Sequence, residues 1–162
     1  MNSMKKQSKS NTASSIFIVA LSIIGFSYLI FEHVDSTQAV DDWNKYSTSL
    51  RKVLQKQDAL IQEMDRAKTN DFSSFIDQSN QQKKQINAIR SESTELMDMH
   101  EFMKSRAQHI HNGILLLKNF YEKKDEKIKS EAMQQFAQAK NDLTQFAYLK
   151  KKYGKKHKVI FE

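Results

Sequence analysis

The residue types best suited to chemistry gather between Met97 and His111: Met97, Met99, His100, Met103, His109 and His111. Thioether sulfur and imidazole nitrogen together suit copper. Spacing decides which of them can act together. On a helix Met97, His100 and Met103 share a face, so Met97 and His100 can reach one ion, with Met103 one turn on. Met99 points elsewhere, and His109 and His111 lie two apart and face different directions. The plainer reading of the same residues is structural, with Leu96 and Met103 as core and His100 as a polar core position. No metal site is assigned; Met97, His100 and Met103 are the candidates if region 97–111 serves a sensor for a metal or small ligand.

Catalytic patterns fail on inspection. His100-Glu101 opens like a zinc-protease helix, but Lys104 stands where the second histidine belongs. There is no Gly-x-Ser-x-Gly turn, no Ser/Lys pair and no carboxylate pair suited to flanking a pocket. Three glycines leave no phosphate-cradling loop, and the absence of cysteine removes thiol nucleophiles, zinc ribbons and disulfides. The sequence thus gives no catalytic residue and no cofactor, and it reads as non-enzymatic.

A third chemical feature is charge. Lys150, Lys151, Lys152, Lys155, Lys156 and Lys158 stand against one acid, Glu162, over residues 150–162. Such a run suits an anionic surface: lipid headgroups, an envelope polymer or an acidic partner. Each basic residue near an anionic bilayer contributes about 1 kcal/mol. The plainer reading is a solvated end, with Lys150–Lys152 complementing a helix dipole. Residues 36–149 hold 17 basic and 16 acidic residues and so carry only +1 of the net +7; the rest belongs to the two ends. The body lacks the basic stripe of a nucleic-acid-binding domain.

The elements that must position these residues begin with an anchor. Ser14–Phe31, SSIFIVALSIIGFSYLIF, carries no charge and at 1.5 Å per residue spans roughly 27 Å, close to a hydrocarbon core of about 30 Å. Lys5, Lys6 and Lys9 precede it; Glu32, Asp35, Asp41 and Asp42 follow. Positive flanks stay inside, so the expected topology is single-pass in the cell membrane, with a cytoplasmic tail over 1–13 and an extracytoplasmic remainder. A cleaved signal peptide, and hence a secreted helical protein, fits less well: the run is long, and the nearest small-x-small site, Thr37-Gln38-Ala39, lies eight residues beyond it.

From Val40 to about Tyr153 the period is helical, Lys158-Val159-Ile160-Phe161 reads as a short strand or a loose tail, and the lack of proline with three glycines argues against a sandwich or barrel. Trp43, Tyr46, Leu50, Val53, Leu60 and Met64, widened by Leu54 and Ile61, define a stripe over about 38–68, interrupted only by Gln57. Asn70 or Asp71 can cap a second series that keeps one register from Phe72 to Tyr121, lean over 77–85 and rich after Leu96. Asn112-Gly113 is a common turn dipeptide, but the register passes through it, which places Gly113 inside a helix. A last series runs Ala132, Phe136, Ala139, Leu143, Phe146, Tyr153, with Gly154 expected as its C-terminal cap.

Two all-α architectures follow. A turn near 91–95 gives an antiparallel bundle of helices at about 38–68, 71–91, 95–123 and 129–153. Without that turn, 71–123 is one helix of roughly 80 Å, and the outer helices fold back on it as a coiled-coil hairpin. In either case the domain is 36–153, followed by a basic tail over 154–162. The lean stripe at 77–85 leaves room for a protein partner or a second copy to complete it. In layout the chain resembles membrane-anchored helical metal sensors of the bacterial envelope and envelope-spanning coiled-coil proteins such as phage inner-membrane spanins, a likeness that implies envelope bridging and rests on no shared motif. The expected function is a membrane-anchored helical interaction or scaffold protein of the envelope. Its expected partners are the membrane, a protein, and anionic lipid or polymer, with no nucleic acid.

Overall fold

The computed structural model describes residues 38–66 and 71–157, and every element among them is an α-helix. The expected cytoplasmic tail, the apolar run 14–31, the segment 67–70 and Lys158 with the residues after it lie outside the described residues. No described helix is long and apolar enough to cross a membrane.

The four helices are α1 (Gln38–Arg66), α2 (Ser73–Ala88), α3 (Thr94–Lys123) and α4 (Glu126–His157). Contacts between helix ends give their directions. Trp43 near the start of α1 packs on Phe146 and Tyr153 toward the end of α4, with ring centroids 6.5 and 6.3 Å apart. Tyr46 meets His100 near the start of α3, and His100 meets Ile86 near the end of α2. At the opposite pole Phe72 faces Tyr121, 5.2 Å between centroids. Hence α1 and α3 run one way, α2 and α4 the other, in an up-down-up-down bundle.

This overturns the single 71–123 helix. The chain breaks after Ala88: Ile89 is extended, with ψ 135°, and Ser93 caps α3 by accepting a hydrogen bond from the Leu96 amide. A serine hydroxyl at a helix start satisfies an otherwise orphaned amide, and here it outweighs unbroken heptad register. Asp71 accepts from the Ser73 amide at 3.0 Å, so α2 starts two residues later than expected. Between α3 and α4 the turn is short: Lys124 takes a left-handed conformation with φ 55°, and Asp125 accepts from the Lys127 amide at 2.8 Å. That local cap starts α4 at Glu126 instead of 129.

The other end of α4 also departs from expectation. Gly154 is buried and helical, not a terminal cap, and α4 continues to His157. Tyr153 explains the extension. Its hydroxyl donates to the Ala39 carbonyl at 2.9 Å, which docks the last turns of α4 against the first turn of α1.

Two apolar clusters fill the bundle. One gathers Val40, Trp43, Tyr46, Leu50, Ile86, Leu96, Met99, Met103, Leu143, Phe146 and Tyr153 around the start of α1. The other gathers Leu60, Ile61, Met64, Phe72, Phe75, Ile110, Ile114, Leu117, Ala132 and Phe136 at the far pole. Gly113 lies within α3 as its register requires, and it lets α4 approach: a Cβ there would sit 2.8 Å from Phe136 Cζ. Alanine is favoured over glycine in a helix by about 1 kcal/mol, but forcing a buried ring aside costs typically about 1–3 kcal/mol. Gly113→Ala is therefore expected to lower stability in chemical denaturation, and Gly113→Ala with Phe136→Leu to recover it. A stabilising single variant would show that α3 and α4 do not touch there.

Candidate functional site

Between the two apolar clusters the bundle is polar. Gln57 and Asp58 come from α1, Ser79 and Gln82 from α2, Arg106 from α3 and Asp142 from α4, and all six are buried. Arg106 is the centre. Its side chain is 0 % exposed, its guanidinium donates to Gln57 Oε1, and its Nη2 donates to Asp58 Oδ1 at 3.3 Å. Gln82 Nε2 donates to the Lys56 carbonyl at 3.1 Å, which ties α2 to α1. The Ser79 hydroxyl donates to the Ile76 carbonyl, leaving its oxygen to accept from His111 Nδ1 at 2.8 Å.

The charges in this layer are coupled. Burial pushes the Arg106 guanidinium below its ordinary value, and Asp58 and Asp142 oppose that shift, so the cation persists. Burial raises the Asp142 carboxyl, against the pull of Ser105, His109 and Arg106. His109 donates from Nδ1 to Gln135 Oε1 at 2.8 Å and turns Nε2 toward Asp142 Oδ2, 3.8 Å away. Among the described residues three buried atoms have no protein hydrogen-bond partner: Gln82 Oε1, Arg106 Nε and Asp142 Oδ2.

The methionine–histidine region is distributed differently from a metal site. Met103 is fully buried in the apolar cluster, and Met97 is only half-buried. Met99, expected to point away, is core. His100 is 0 % exposed, with both ring nitrogens engaged: Nε2 donates to the Ile86 carbonyl at 2.9 Å, and Nδ1 accepts from the Tyr46 hydroxyl at 3.1 Å. Ligation by His100 would break one of these bonds. Among the described residues no three His, Asp or Glu side chains converge as a metal group.

The lysines also divide. Lys151, Lys152 and Lys155 are exposed. Lys156 and His157 both meet Glu95 at the start of α3, the histidine at 2.7 Å. Lys150 is 6 % exposed, its ammonium 5.5 Å from the Trp43 ring centroid. Its methylenes pack inside the bundle and its charge meets an aromatic face, so it leaves the group able to touch an external surface.

The lean stripe at 77–85 is completed within the chain. Phe75, Ser79, Gln82 and Ile86 are the buried face of α2, and the polar pair belongs to the central layer. Among the described residues the surface includes two clefts of similar size. One, of about 190 Å³, is lined by Glu95, Asp98, Met99, Leu149, Lys152, Tyr153 and Lys156. Another, of about 220 Å³, runs between α1 and α2 beside Lys56, Glu63, Gln78 and Gln82. No family model, no curated protein and no solved structure matches this chain.

Breaking the central layer from one side is expected to be costly. Arg106→Leu removes the buried cation beside Asp58 and Asp142, and losing one partner of a buried ionic set typically costs about 3–5 kcal/mol. Replacing Arg106, Asp58 and Asp142 together by leucine is expected to recover most of that loss in denaturant unfolding. A single variant as stable as the parent would show that the layer is solvated.

His100 sets a pH dependence. Burial, with help from Lys104 and Arg90, holds its imidazole below the ordinary histidine value of about 6.5. The unfolded chain then binds the proton more readily, so stability falls as pH drops below about 6.5, toward the folded value. His111, lowered by burial and Lys83, acts in the same sense. Asp142 acts in the opposite sense: its raised carboxyl contributes stability while protonated, lost as pH rises through its folded value. Thermal unfolding is expected to weaken from pH 7 to pH 5, and to weaken less in His100→Gln. Identical slopes would mean that His100 charges without cost.

Proposed function

We propose that this chain is a membrane-anchored helical module of the cell envelope that works by presenting surfaces to partners, not by catalysis. The observation that carries this reading is where the polar groups of the interior go. Arg106 reaches Gln57 and Asp58, His100 reaches Tyr46 and Ile86, Gln82 reaches Lys56, and each contact ties one helix to another. A catalytic or ligand-binding centre would instead turn such groups into a cleft. What remains for partners is the outside of a bundle about 45 Å long, the length of a 30-residue helix. The fold-back of α2 on α1 and α4 on α3 favours a compact scaffold over a spanin-like rod.

The anchor is Ser14–Phe31, supported by its length, its freedom from charge and its asymmetric flanks. The chain has no cysteine, so a single introduced one is an unambiguous reporter. Ser130→Cys, at an exposed site of α4, is expected to react with an impermeant maleimide in intact cells, or in spheroplasts where an outer membrane blocks access. Ser8→Cys is expected to stay unlabelled until the membrane is opened. The reverse pattern would overturn both topology and function.

A further inference from the structure

We infer that the outer face of the end of α4, formed by Tyr148, Lys151, Lys152 and Lys155, docks on the anionic headgroups of the membrane that holds the anchor. This inference rests on the anchor proposed above.

The sequence places these lysines at the end of a helix but does not say which pole of the domain that helix end occupies. The fold does. Tyr153 donates to the carbonyl of Ala39, and Trp43 packs on both Tyr153 and Phe146, so the last turns of α4 lie beside the first turn of α1. Only residues 32–37 separate the apolar run from α1, and six residues extend at most about 20 Å. The pole that carries the lysines is therefore the pole tethered to the bilayer.

The face itself is built for such contact. At 100° per residue, positions 148, 151, 152 and 155 fall within about a third of the helix circumference, opposite the buried Phe146, Lys150 and Tyr153. Tyr148 is 65 % exposed, the largest exposure among the big apolar side chains described, and an aromatic ring beside lysines is the pairing favoured at a membrane–water interface. Lys151, Lys152 and Lys155 have no carboxylate partner among the described residues, whereas Lys156 is committed to Glu95 and Lys150 to Trp43. The acids near this pole, Asp41, Asp42, Glu92, Glu95 and Asp98, sit on α1, on α3 and in the turn before α3; Glu95 and Asp98 line the cleft that Lys152 edges, without pairing with it. At the other pole Glu122, Asp125 and Glu126 are interleaved with Lys123, Lys124 and Lys127, so that end has no comparable excess.

The test uses the full chain in lipid nanodiscs, with an environment-sensitive fluorophore on Tyr148→Cys or, as the distal control, on Ser130→Cys. The quencher is a nitroxide carried on the lipid headgroup. Quenching at position 148 is expected in discs containing phosphatidylglycerol, much less in pure phosphatidylcholine, and at position 130 in neither. Three lysines at an anionic surface shift the docked-to-undocked ratio about 100-fold, so Lys151→Glu, Lys152→Glu and Lys155→Glu together are expected to abolish the signal. High salt is expected to do the same. The unfolding midpoint of the triple variant is expected to match the parent, because all three side chains are exposed. An unquenched 148 label on a chain that co-migrates with anionic discs overturns the docking face and leaves the anchor standing, as does quenching that survives charge reversal. A chain that fails to co-migrate with discs overturns the anchor, and with it the bilayer as the partner of this face.

Discussion

A guanidinium with no access to water dictates much of this bundle. Desolvating Arg106 is costly unless carboxylate and amide oxygens meet it, and those oxygens come from Gln57 and Asp58 on α1, with the Asp142 charge arriving from α4. The constraint is positional. Sliding α1 by one turn, about 5.4 Å, would bring Leu54 or Ile61 to the level of the cation and strand it. Apolar side chains alone tolerate such slips, because one leucine fills a gap much as another does. The polar layer gives the four helices a single longitudinal alignment, and the two apolar clusters then pack above and below it.

Much of this order was legible in the heptads. The buried residues of α2, Phe75, Ser79, Gln82 and Ile86, are the a and d positions of the register that starts at Phe72. Gln57 stood out as a polar interruption of the first apolar stripe, and Ser79 and Gln82 fall in the lean stretch 77–85 of the second. What could not be read was that the interruptions face one another, because periodicity assigns a residue to a face but not to a level against another helix. Arg106 was invisible for a related reason. It lies on the g row of α3 with Met99, Gly113 and Phe120, all buried, so this helix buries a broader stripe than a and d alone. A helix with neighbours on two sides needs that third row.

Lys150 shows how a correct pattern can be misread through residue type. The apolar series of α4 steps from Phe146 to Tyr153, and the missing member four residues after Phe146 is Lys150. The spacing placed it in the core; its charge argued for the surface. The fold satisfies both, burying the methylenes and setting the ammonium on the Trp43 ring. The turns were the other gap. Ser93 and Asp125 end the ambiguity over where α3 and α4 begin, by accepting hydrogen bonds from nearby amides on single side chains. Such caps are local and weak beside a 30-residue register, yet they decide where the chain reverses.

Trp43 is the chain's single tryptophan, and it belongs to only one of the two apolar clusters. Its indole is flanked by Tyr46, Phe146, Tyr153 and the Lys150 ammonium. Intrinsic fluorescence consequently reports the half of the domain beside the start of α1, whereas far-ultraviolet circular dichroism sums both halves. The two signals coincide on heating only if the Arg106 layer transmits cooperativity from one half to the other. Comparing them turns a buried ionic seam into a measurable boundary between folding units.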